Sequence, residues 1–196
     1  MSYLERAPLD EDAFPPFRQI RETFGFLPNF FRAQTLRADL VEPQMNFIGS
    51  IMVGEGALAR RQKEYIFLVT SAANLSTYCV TAHCEIVRML GIEGPEPELV
   101  AINHNATDIP VADKALLNFA LKLNATPKKI EADDIDALRT YDFTDQQILE
   151  AILMVGISQY ATVVSFGLGT VPDFDSARVE MVLGVPSPAL SGTRGS

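Results

Sequence analysis

Apolar residues recur at three- and four-residue spacings along most of the chain, and nowhere do they alternate with polar ones long enough to require a sheet. Residues 1–13 read as an extended arm. Pro15-Pro16 opens a first helix carrying Phe17, Ile20 and Phe24, and Gly25 ends it. Leu27-Pro28-Asn29 reads as a turn, with Asn29 capping a short helix that carries Phe30, Phe31 and Ala33. From Asp39 to about Val53, Leu40, Met45, Ile48, Ile51 and Met52 form one apolar face, with Pro43 tolerable only in the first turn. Gly54-Glu55-Gly56 interrupts the pattern.

Two helical patterns follow, at about Leu58–Ala73 and Thr77–Leu90, and Gly91 closes the second. Residues 97–104 suit a short helix, Asp113–Leu123 a longer one with Leu116, Leu117, Ala120 and Leu121 facing in, and Asp133–Arg139 another short one. Thr144-Asp-Gln-Gln147 matches a capping box and introduces the longest apolar pattern, about Asp145–Phe166, ended by Gly167 and Gly169. Its second half is nearly free of charge, which suits a central core helix or a subunit interface. A last short helix fits within 172–184. The expectation is a single all-α domain over 1–184 with a central helical hairpin, followed by a flexible tail over 185–196.

Composition supports this. A chain of 196 residues with 47% hydrophobic and 21% charged residues suits one sizeable core. A net charge of -9 disfavours a nucleic-acid surface and docking on anionic lipid. The start, Met1-Ser-Tyr-Leu-Glu-Arg6, lacks the basic and apolar segments of a signal peptide. No apolar run reaches the roughly 18 residues needed to span a bilayer. The expected placement is cytoplasmic, with no nucleic-acid or membrane partner. Two cysteines cannot build a disulfide scaffold, so a reactive thiol is the more informative reading.

Both cysteines and one of the two histidines fall between Glu64 and Cys84. If the chain turns at Asn74, Glu64 lies ten residues before the turn and His83 nine after it, so a hairpin sets them at matching heights. Cys79 and His83 are four apart and share one helix face. The spacing permits an ordered chain, Glu64 to His83 to Cys79, with His83 in hydrogen-bond or one-water reach of both partners. A carboxylate orienting an imidazole that deprotonates a thiol is a general plan for a nucleophile. If Ser76 is the N-cap, Cys79 stands in the first helical turn, where the macrodipole lowers a thiol's pKa; Asn74 is the competing cap. Each residue also has an ordinary reading: Cys79 as buried packing, His83 as a satisfied core histidine, Glu64 as a solvated helix charge.

Other signals are slight. His104 reads as a surface residue, and two histidines without an HExxH pattern imply no metal site. Gly167-Leu-Gly169 follows a helix rather than a strand, so no dinucleotide cofactor is expected. Phe30, Phe31 and Phe47 read as core, or as an apolar entrance if they face the thiol.

The run Glu64, Leu68, Ser71, Asn74, Ser76, Tyr78, Cys79, Ala82, His83 resembles the core motif of the alkyl hydroperoxidase D / carboxymuconolactone decarboxylase family, in its peroxidase-related branch. That motif has Glu, Leu four on, and Cys-x-x-Cys-x-x-x-His beginning twelve after the Glu. The resemblance is strong over about 59–91 and looser to about 170. It implies an all-helical fold assembling as dimers, trimers or hexamers, and a thiol that reduces peroxides through a Glu–His proton relay. By position Glu64 is the relay carboxylate, His83 the relay imidazole, and Cys79 the cysteine that meets the peroxide. Ser76 stands where the family has its first cysteine, so no internal disulfide can form there and an external thiol would restore Cys79. Cys84 is a poor substitute: five helical residues rise about 7.5 Å and rotate about 140°, beyond disulfide reach. The resemblance also admits a lactone decarboxylase, and the loss of the cysteine pair admits a redox-inactive oligomer.

Overall fold

Pro residues at the start and a left-handed Gly25 (φ 79) at the end delimit α1 (Pro15–Phe24), the first of ten α-helices among the described residues. The computed structural model describes residues 2–185, so the expected tail lies, apart from Val185, outside the described residues. The helices that follow are α2 (Asn29–Arg32), α3 (Val41–Met52), α4 (Arg60–Ala73), α5 (Thr77–Met89), α6 (Pro97–Asn103), α7 (Val111–Ala125), α8 (Ala132–Arg139), α9 (Asp145–Leu168) and α10 (Ala177–Leu183). Short 3-10 turns lie at Thr35–Leu40, His104–Ala106 and Pro127–Lys129, and the described residues contain no strand. The all-α reading holds, with boundaries within a few residues of those expected.

The layout is centred on α4, which packs against α5, α6, α7 and α9. Every residue from Lys63 to Ala72 is buried, as a helix surrounded on all sides requires. Lys63 is tolerated there because its ammonium donates to the Ile51 carbonyl at 2.9 Å and the Gly54 carbonyl at 3.2 Å. Those acceptors lie at the C-terminal end of α3, where the helix dipole favours a cation. Glu150, 3.7 Å from the same ammonium, also accepts from the Ala57 and Leu58 amides and ties the α3–α4 loop to α9.

The α4–α5 turn is short because Leu75 takes a left-handed conformation (φ 56) and the Ser76 amide donates back to the Ser71 carbonyl at 2.9 Å. Asn74 and Asn124 exchange side-chain amide hydrogen bonds at 3.1 and 3.0 Å, fastening this turn to α7.

At α9 the Thr144–Gln147 capping box forms as expected, and Gly169 (φ 61) closes the far end; Gly167 lies inside the helix. By length and composition alone α9 could cross a membrane, contrary to the sequence expectation of no such span. Its scattered Ser, Gln, Tyr and Thr residues break the apolar run without lowering its mean hydropathy enough. In the fold it lies against α4 and α7, with Ala151, Met154, Ile157 and Ser158 buried.

Three local expectations change. Asn29 does not cap α2; it is the first helical residue, and its amide donates to Asp173 Oδ1 at 2.8 Å. Leu40 and Phe47 are exposed, because α3 starts after a 3-10 turn and is covered by the core along one side only. Replacing fully buried Met154 with Ala should cost about 2–5 kcal/mol, whereas Val111→Ala on the exposed start of α7 should stay within about 0.5 kcal/mol. Urea denaturation of the two variants measures the contrast.

Candidate active site

The hairpin turn sets the register in which Glu64 meets His83. His83 Nδ1 donates to Glu64 Oε2 at 2.6 Å, and Arg60, one turn earlier on α4, donates from Nε to Glu64 Oε1 at 2.7 Å. Glu64 has no exposed surface, so both carboxylate oxygens take charged partners in place of water. Burial alone would raise its pKa, but the His83 charge and hydrogen bond, with Arg60 behind them, outweigh burial and hold it below the ordinary value of 4.5. The imidazole is fixed from its other side by Phe67, whose ring stacks on it at 3.7 Å between centroids. Glu64 is thus no solvated helix charge, and Arg60 was legible as its partner from the four-residue spacing.

Ser76 is the N-cap of α5, and its hydroxyl accepts from the Cys79 amide at 3.4 Å; Asn74 ends α4 instead. Cys79 is a free thiol, 2% exposed. The expected depression of its pKa does not occur. Burial raises it, and the hydroxyls of Ser76, Thr162, Ser165 and Ser71 offset only part of that rise. A helix terminus contributes partial charges, and desolvation of a thiolate outweighs them. No direct hydrogen bond joins Cys79 to His83, although both line one cavity of about 80 Å³. Its other walls are apolar, including Phe24, Phe26, Phe30, Phe31 and Phe67. Phe30 and Phe31 therefore do face the thiol, whereas Phe47 does not line this cavity.

Cys84 is also free and buried, beside the Arg88–Glu98 ion pair, and burial followed by the Glu98 charge pushes its pKa up. His104 is likewise buried rather than at the surface, with Nε2 donating to Asn118 Oδ1 at 2.9 Å. The 3-10 turn after α6 folds it inward. Among the described residues no group of three or more His, Cys, Asp and Glu side chains could hold a metal ion.

Tyr78, next to the thiol, connects the walls of the site. Its hydroxyl accepts from the Phe30 amide at 2.9 Å and donates to Asp173 Oδ2 at 2.8 Å, joining α5, α2 and the loop after α9. Burial raises the pKa of both Tyr78 and Asp173. Sequence reasoning missed this link, because no local pattern marks Asp173. It also missed Ser158, Thr162 and Ser165, which a search for polar residues at helical spacing within the apolar helix would have found.

A depressed carboxylate pKa means that, as pH falls, the unfolded chain binds its proton first. The contribution of Glu64 is therefore complete above 4.5 and is lost as pH falls through the lower folded value. Urea denaturation should show Glu64→Gln less stable than the parent protein above pH 4.5, with the gap closing on acidification below it.

No protein-family model and no curated protein matches the sequence. Solved structures do match in fold. A peroxidase-related protein from Silicibacter sp. TM1040 aligns at TM-score 0.80 and 24% identity, over 88% of this chain and 92% of that one. The debrominase Bmp8, as a cysteine-to-alanine variant in complex with 2,3,4-tribromopyrrole, aligns at TM-score 0.76 and 18% identity, over 92% of this chain and 98% of that one. An alkylhydroperoxidase AhpD core protein, peroxidase-related, from Ralstonia eutropha JMP134 aligns at TM-score 0.78 and 27% identity, over 93% of this chain and 97% of that one. With the helical order shared nearly end to end, the chain has the fold of the alkylhydroperoxidase AhpD core and of peroxidase-related proteins, to which it is similar, and Glu64, Cys79 and His83 stand in it in the register described above.

Proposed function

We propose that the protein is a single-cysteine thiol peroxidase that reduces hydrogen peroxide or small alkyl hydroperoxides. The observation that carries this reading is a free Cys79 opening, together with the His83 that Glu64 holds from behind, onto one small apolar cavity. The Cys79 sulfur attacks one peroxide oxygen and breaks the O–O bond, giving a sulfenic acid and an alcohol or water. The thiol proton reaches the leaving oxygen through His83, whose Nε2 has no hydrogen-bond partner among the described residues while Nδ1 is held by Glu64. One external thiol then converts the sulfenic acid to a mixed disulfide and releases water. A second thiol frees Cys79, leaving the reductant as its disulfide.

The aromatic lining favours a second substrate for the same thiol, a small halogenated arene, as in the compound bound to the debrominase neighbour. In that reaction two thiols and an aryl halide give the arene, a disulfide, halide and a proton, so halide release separates the two readings. A lactone acid is less well served. Arg60 is committed to Glu64, Arg61 to Asp113 at 3.0 Å and Lys63 to backbone carbonyls, and none of the three lines the cavity.

The expected oligomer has a candidate surface. Leu149, Ile152, Leu153, Val163 and Phe166 stay exposed on α9, and a Cβ added at Gly156 meets nothing within 4 Å, so a second helix has room to approach. Self-association through this face should be weakened by Val163→Glu with Phe166→Glu, read by analytical ultracentrifugation.

Treated with peroxide and mapped by mass spectrometry, the reduced protein should gain oxygen at Cys79. Cys79→Ser should consume peroxide only at the background rate, while Cys84→Ala keeps the activity. Because burial holds the thiol above its ordinary value of 9.0, oxidation should still accelerate as pH rises through that value. An unmodified Cys79, or undiminished consumption by Cys79→Ser, would remove the peroxidase reading.

A further inference from the structure

The most apolar helix of the molecule buries three hydroxyls in a line. Ser158, Thr162 and Ser165 lie four and three residues apart on α9, on the face turned toward α4 and the start of α5. Ser158 has partners there: its Oγ donates to Thr70 Oγ1 at 2.7 Å, the Thr70 proton being taken by the Ile66 carbonyl, and lies 3.1 Å from Ser71 Oγ. The other two do not. Thr162 and Ser165 are 6% and 3% exposed, and neither hydroxyl hydrogen-bonds to any neighbour among the described residues. A helical serine or threonine ordinarily satisfies itself by bonding back to a carbonyl one turn earlier, as Thr70 does to Ile66 at 2.7 Å. Two idle donors side by side in a core are a cost that a purely structural stripe of Ala or Val would avoid.

Both stand with Ser76 and Ser71 among the hydroxyls near enough to Cys79 to favour its ionised form. Ser165 lines a groove of about 450 Å³ together with Ser76 and Tyr78, the cap and the neighbour of the thiol. A neutral thiol is a weak acceptor, so it leaves such donors unused; a thiolate is a charged acceptor and engages them. The charged surroundings offer no substitute. Between residues 151 and 168 α9 carries no charged side chain. From α5 the titratable neighbours are His83, bound to Glu64 of α4, and Tyr78, bound to Asp173 of the following loop.

We infer that Thr162 and Ser165 are positioning residues for the reaction, two hydroxyls held in reserve against the thiol that donate to the Cys79 thiolate when it forms. The inference deepens the proposed function, since it names how the nucleophile is stabilised without a neighbouring cation. It does not require that the substrate be a peroxide.

Thr162→Val and Ser165→Ala, which remove a hydroxyl with little change of shape, should be compared with the parent protein. The measurement is the pH dependence of iodoacetamide alkylation at Cys79, mapped by mass spectrometry. Each deletion should raise the apparent thiol pKa by about one unit, slowing alkylation about tenfold at a given pH below it. Thr162→Ser should restore the parent titration, which a merely structural role for the side chain would not predict. Ser165→Ala, the smaller change, decides the matter if Thr162→Val fails to fold. Parent-like titration in the folded deletion variants would overturn the inference. Peroxide takes no part in this experiment. A shifted titration with an unreactive Cys79 toward peroxide would sink the peroxidase reading alone, and the converse would sink only this one.

Discussion

A carboxylate with no exposed surface has to find charged or polar partners for both of its oxygens, and Glu64 imposes that requirement on everything around it. One oxygen takes the His83 imidazole from α5 and the other takes the Arg60 guanidinium from its own helix. The first contact is possible only if α4 and α5 run antiparallel with the turn at Asn74–Ser76. A slip of one residue along α5 would rotate His83 by about 100° and leave a buried charge short of a partner, a loss of about 3–5 kcal/mol. The left-handed Leu75, the Asn74–Asn124 amide pair and the stacking of Phe67 on His83 all support the same register. The central position of α4 follows, because a helix carrying such a group in its middle must be covered from every side.

The same register gives Cys79 two unlike surroundings. Toward His83 it meets aromatic and aliphatic walls, where a small apolar molecule can lie against sulfur and imidazole together. On α9 it also has the hydroxyls of Thr162 and Ser165 for neighbours. Burial makes the thiol hard to ionise, and the helix terminus does not reverse that. The groups that favour ionisation are dipoles rather than charges. A thiol whose pKa is raised by burial is less nucleophilic than an exposed one.

Much of this was legible in residue order. The helical spacings, the Thr144–Gln147 box, the glycine ends and the ten-and-nine spacing about Asn74 are local quantities, and they gave the fold class and the Glu64–His83 contact. What failed depended on distant chain. His104 is buried because a 3-10 turn after α6 folds it onto α7, and Phe47 is exposed because only one side of α3 is covered. Asn29 is capped by a residue 144 positions away, so its own suitability as a cap could not decide the matter. The thiol's pKa was misjudged because a helix start is visible in sequence and the degree of burial is not. Thr162 and Ser165 fall between these cases. Their spacing was available, but only the packing of α9 on the start of α5 shows what they face.

Ser76 is where fold and chemistry separate most clearly. As an N-cap it is well chosen, since a hydroxyl accepts a backbone hydrogen bond better than a thiol does, and the Cys79 amide uses it. The helix start, the turn and the ion pair beyond it therefore lose nothing by having oxygen at this position. The proposed thiol chemistry has no internal partner there, because Cys84 lies five residues further along α5 and is buried near the Arg88–Glu98 pair. Selection on folding alone could keep Ser76 indefinitely. Folding does not by itself require a buried thiol beside an oriented imidazole, an apolar cavity and two hydroxyls without partners, and it is this combination that the proposed chemistry at Cys79 would use.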